Sequence, residues 1–88
     1  MVYLFIYSSS FGDRQELKDY FDSCSFIEHW RCDLPNCFYL VSEETAHDIS
    51  RHIKEKFPKS RYLLTEISSN RQGWLPKSTW NFIHENEG

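Results

Sequence analysis

Residues 26–32 and 37–41, joined by Asp33-Leu34-Pro35-Asn36, constrain this chain more than any other stretch. Both runs are short and rich in aromatic and β-branched residues, which suits strands. The link between them is built of turn formers. Asp hydrogen-bonds locally, Pro presets φ, and Asn tolerates the left-handed region. The segment therefore reads as a β-hairpin, and whatever surrounds it must pack on an antiparallel pair.

Two helical patterns flank the hairpin. Upstream, Asp13 can cap a helix, with Glu16 three residues on as in a capping box. Leu17, Tyr20, Phe21 and Cys24 then recur at i, i+3, i+4 and i+7, one apolar stripe. Downstream, Thr45 and Asp48 suggest a second cap, and Ala46, Ile49, Ile53 and Phe57 form the next stripe. Pro58 ends it, because proline cannot continue the helical ladder. Residues 2–7 read as a buried first strand bounded by Ser and Gly, and residues 61–67 as a fourth. Pro76 suits the first turn of a short third helix carrying Trp80 and Ile83.

The order is β-α-β-β-α-β plus a C-terminal helix, in one domain over residues 1–88. That is the ferredoxin-like plan: a four-stranded antiparallel sheet with two helices on one face. Alternation divides the first strand into Leu4 and Ile6 on one side and Tyr3, Phe5 and Tyr7 on the other. With the aliphatic pair assigned to the helices, the expected core is Leu4, Ile6, Leu17, Phe21, Ile49, Ile53, Phe57 and Leu63. The aromatic trio is then expected on the open face.

Composition gives that face a use. Fifteen residues are Phe, Tyr or Trp, more than the core of an 88-residue chain readily hides. Burial against a second copy explains the excess, so Tyr3, Phe5, Tyr7, Tyr39, Trp74 and Trp80 are the expected homodimer interface. The competing use is a base-stacking platform as in RNA-recognition motifs, with Phe5, Tyr7 and Tyr39 as the rings. Residues 37–41 lack the motif that such platforms carry.

Net charge is −3, which weighs against broad nucleic-acid binding. The charge is uneven. Residues 1–50 hold three basic residues against nine acids, and residues 51–88 hold seven against four. A phosphate-contacting surface would therefore draw on Lys54, Lys56, Lys59, Arg61, Arg71 and Lys77, with Tyr7, Ser8 and Ser9 at the end of the first strand. The bland reading of these residues is a solvated face.

Several pieces together resemble a known family: Ile6-Tyr7 ending the first strand, His29-Trp30 in the hairpin, Val41-Ser42, Thr45-Ala46 and Ile49 opening the second helix, Leu63-Leu64-Thr65-Glu66-Ile67-Ser68, and Trp74 with Trp80 in the tail. The chain resembles the small bacterial proteins labelled the SinR family, which look like relatives of the CRISPR adaptation nuclease-like subunit and of VapD-type toxins. The resemblance implies a ferredoxin-like homodimer, with a mobile-element, defence or toxin–antitoxin setting. In the nuclease-like relatives the first strand ends in Tyr-Asp, and the paired aspartates hold a metal. Here Ser8 follows Tyr7, and a neutral hydroxyl is a poor ligand for a hard divalent cation. The expectation is a non-catalytic binding or accessory module without metal or cofactor. The alternatives are a metal-dependent endoribonuclease with substitute ligands and an RNA-binding module.

The remaining chemistry-bearing residues have weak patterns. Ser8-Ser9-Ser10 lacks a nucleophile elbow and a phosphate-binding Lys-Ser or Lys-Thr, so it reads as a polar turn. Cys32 and Cys37 flank the hairpin turn, as a redox pair, half a metal site, or two reduced thiols packed as small hydrophobes. The last is preferred, since structural zinc takes four ligands and His29 falls on the opposite strand face from Cys32. His47 and His52 diverge around their helix and read as exposed. No basic stretch precedes an apolar run and no apolar run approaches a membrane span, so the expected setting is cytoplasmic and away from membranes.

Overall fold

The computed structural model describes residues 1–8 and 13–87. In chain order the elements are β1 (Val2–Tyr7), α1 (Arg14–Ser23), β2 (His29–Arg31), β3 (Cys37–Val41), α2 (Ala46–Lys56), β4 (Tyr62–Glu66) and α3 (Lys77–Asn86). Together they make a small α+β fold with one antiparallel four-stranded sheet in the order β2-β3-β1-β4. No helix among the described residues is long and apolar enough to cross a membrane.

Local signals set the element ends. Asp13 Oδ1 accepts from the Glu16 N–H at 2.9 Å, and Thr45 Oγ1 accepts from the Asp48 N–H at 3.2 Å. Each cap satisfies a donor that the helix cannot. Lys54 and Lys56 sit in the last turn of α2, where cations suit the helix dipole, and Phe57 closes it ahead of Pro58. Asn36 takes the left-handed conformation at φ 54°, which ends the hairpin turn. Its carbonyl then accepts from the Tyr7 N–H at 3.1 Å, tying the turn to the end of β1.

The faces of β1 are the reverse of the sequence expectation. Tyr3, Phe5 and Tyr7 are buried beneath α1 and α2, in one cluster with Leu17, Phe21, Phe38, Leu40, Ile49 and Ile53. Leu4 packs on the other side of the sheet, Ile6 is exposed, and Leu63 of β4 is exposed as well. The expected core therefore holds for Leu17, Phe21, Ile49 and Ile53, holds partly for Phe57, and fails for Leu4, Ile6 and Leu63. The cause is that β1 is a central strand with apolar side chains on both faces. Period-two alternation separates its faces without saying which one meets the helices. The larger side chains fill the deeper space. Phe5 meets Phe21 edge-on at 5.6 Å, and Tyr20 meets Phe57 edge-on at 5.4 Å. The Tyr3 hydroxyl reaches out of the cluster and donates to the Glu44 carbonyl at 2.6 Å, so its polar tip is satisfied.

The hairpin is shorter on its first strand than expected, because β2 pairs with β3 only from His29 to Arg31. Trp30 anchors it sideways. Its indole N–H donates to Asp22 Oδ1 at 2.7 Å, and its ring stands edge-on to Phe38 at 5.6 Å.

Candidate interaction surface

The sheet face opposite α1 and α2 is half covered. α3 crosses it and sets Ile83 against Val2, Cys37, Tyr39 and Val41. Trp80 and Phe82 flank that contact, and Leu75 ahead of α3 joins it. Tyr39 and Trp80, expected at a dimer face, are thus drawn onto the chain's own second core. With Tyr3, Phe5 and Tyr7 buried on the helix side, Trp74 remains as the exposed member of the expected interface. It is 98% exposed.

The uncovered half of this face is apolar. Ile6 pairs directly with Leu63 across β1 and β4, and the two are 43% and 59% exposed. Leu34 at the hairpin tip is exposed too. Between this strip and α3 runs a groove of about 310 Å³, walled by Leu4, Tyr39, Ile67, Trp80 and the loop from Arg71 to Leu75. The loop is held in place by Arg71. Its guanidinium donates to the Ser68 carbonyl at 3.0 Å and to Glu87 Oε2 at 2.5 Å, with His84 Nδ1 at 3.4 Å. The Arg71 hydrogen bond holds the Glu87 carboxyl below its ordinary range.

Where α3 begins, it is latched to the hairpin. Arg31 Nε donates to Thr79 Oγ1 at 2.8 Å, and Arg31 Nη2 donates to Ser78 Oγ at 2.7 Å. The buried Thr79 hydroxyl donates in turn to Asp33 Oδ2. Asp33 Oδ1 is shut off from solvent without a full hydrogen bond among the described residues. Burial, with Asp33 second, pushes the Tyr39 phenol up from its ordinary value. Sequence reasoning missed this network because Arg31 and Thr79 are 48 positions apart and share no motif. Arg31, Thr79 and Asp33 Oδ2 are bonded to one another, so the network joins α3 to the hairpin.

The expected basic residues are spread over several elements. Lys54 and Arg61 line a groove between α2 and β4, whereas Lys56 lines grooves beside α1. Arg71 lies across the sheet against Glu87, and Lys77 opens α3. Ser8 donates its N–H to the Arg61 carbonyl at 3.0 Å, while Ser9 and Ser10 lie outside the described residues. Tyr7 is closed off as a stacking ring, because it is packed between Phe5 and Phe38.

The thiols are separate. Cys32 packs on the helix side of the sheet and Cys37 on the α3 side, and all three cysteines are free. The Cys37 thiol is pushed up to about 11, first by burial and then by Asp33 and Cys32. Such a group is a poor nucleophile and a poor metal ligand near neutrality. Its ordinary value is 9.0 and its folded value about 11, so the stability that it contributes is present below pH 9 and lost as pH rises toward 11. Cys37→Ala should remove that part of the alkaline decline. A thiol reagent at pH 8 should modify Cys24 and Cys32 in the native protein well before Cys37, as peptide mapping would record. Among the described residues no three His, Cys, Asp or Glu side chains are grouped to hold a metal ion. His47 is exposed as expected, but His52 is half-buried, stacked on Phe26 at 4.5 Å.

No family model, no curated protein and no solved structure matches the chain.

Proposed function

We propose that this protein is a homodimeric binding or accessory module of ferredoxin-like architecture that acts through surface contacts and carries out no catalysis of its own. The observation that carries the reading is the apolar strip that α3 leaves uncovered: Ile6 and Leu63 side by side, Leu34 at the hairpin tip, and Trp74 standing out of the loop at 98% exposure. A tryptophan held in that position has no role in its own chain's core, and aromatic side chains of this size dominate protein interfaces. The element order and the sheet order β2-β3-β1-β4 support the ferredoxin-like assignment. Kinship with the SinR-family proteins is part of the same proposal, and so is a reducing cytoplasmic setting, which three free cysteines suit.

Sedimentation at tens of micromolar tests it. A dimer is expected, with Trp74→Ser weakening association and leaving the thermal midpoint of the monomer unchanged. A wild-type monomer at that concentration overturns the reading.

A further inference from the structure

The two edges of the sheet are finished differently. β2 is three residues long, and its Trp30 and Arg31 are tied down to α1 and α3. β4 is five residues long, contains no proline or lysine, and lies at the end of the strand order. Natural sheets usually blunt such an edge. The ladder to β1 shows which groups of β4 point outward. Ser8 N–H bonds to the Arg61 carbonyl and Ile67 N–H to the Val2 carbonyl, so residues 61, 63, 65 and 67 face β1. By the alternation of an antiparallel pair, Leu64 and Glu66 turn their N–H and C=O groups away from the sheet.

Charge is graded along this edge. Lys54 and Arg61, both exposed, line the groove at the start of β4. Glu66 ends the strand, and Glu44 is near it because its carbonyl is bonded by Tyr3, the residue paired with Glu66. A strand that is basic at one end and acidic at the other is self-complementary in antiparallel pairing. We infer that the partner at this edge is β4 of a second copy, with Leu64 on the two-fold axis, giving a continuous eight-stranded sheet. This inference rests on the homodimer proposed above and assigns its location.

In that register Leu63 of each copy lies opposite Thr65 of the other on the apolar face. Glu66 of each copy meets the Lys54 end of the other. Isologous pairing of this kind uses up both β4 edges and leaves only the short β2 edges outside.

The test is a charge swap read by sedimentation equilibrium, with amide exchange on wild type. Lys54→Glu and Glu66→Lys should each weaken the dimer by about tenfold or more, since like charges then meet twice per dimer. The double variant should return to within about threefold of wild type, well inside the penalty of either single change. Leu64 and Glu66 amides should exchange more slowly as protein concentration rises. All three variants change exposed residues, and a matching wild-type circular dichroism spectrum identifies them as folded. A wild-type dimer with unchanged single variants and concentration-independent Leu64 exchange overturns the edge assignment and leaves the homodimer standing. A wild-type monomer overturns both.

Discussion

Replacing Phe5 with alanine is expected to destabilise the protein by about 3–5 kcal/mol, whereas Ile6→Ala, one residue along, should cost about 1 kcal/mol or less. The contrast follows from the two faces of β1. Phe5 is fully buried and touches Phe21, Tyr7 and Tyr62 through its ring, so truncation leaves a cavity walled by residues from α1 and from β4. Ile6 is 43% exposed and loses only part of an apolar contact with Leu63. Phe5→Glu should prevent folding, because an ionised carboxylate would enter a site with nothing to pair it. Urea unfolding followed by far-UV circular dichroism measures all three. A larger loss for Ile6→Ala than for Phe5→Ala would restore the opposite orientation of the strand.

That orientation is where the sequence runs out. Asp13, Thr45, Pro58 and Asn36 were legible because each acts on its own neighbours: two caps, a stop and a left-handed turn residue. The stripes on α1 and α2 were legible because a helix with one solvated side must turn its apolar side inward. β1 carries no such asymmetry. Both of its faces are covered, one by α1 and α2 and one in part by α3, so its pattern fits either direction equally well. The surplus of aromatic residues was real, but most of the rings went to two internal cores instead of a partner. The exposed strip was hidden for the same reason, since Ile6 and Leu63 look like core residues until α3 is seen to stop short of them. The latch at Arg31, Asp33 and Thr79 joins segments nearly fifty positions apart, and nothing in the sequence near any of them announces it.

The latch carries the second large effect. Thr79→Val is expected to cost about 1–3 kcal/mol, the range for leaving a buried polar group without its partner. Valine keeps the shape of the side chain and removes the hydroxyl. Arg31 Nε then loses its acceptor, and Asp33 loses the donor to Oδ2 while Oδ1 already lacks one. The loss falls on the join between α3 and the hairpin, so amides in residues 77–86 should exchange faster than those of β1 and α2. Removing both partners should be milder than removing one, because the penalty arises from the group left behind. Thr79→Val combined with Asp33→Leu is therefore expected to recover part of the stability lost in Thr79→Val alone. Denaturant midpoints for the two singles and the double give the coupling directly. A Thr79→Val protein within about 0.5 kcal/mol of wild type, with unchanged exchange in α3, would mean that Ile83 and its apolar neighbours hold the helix without help.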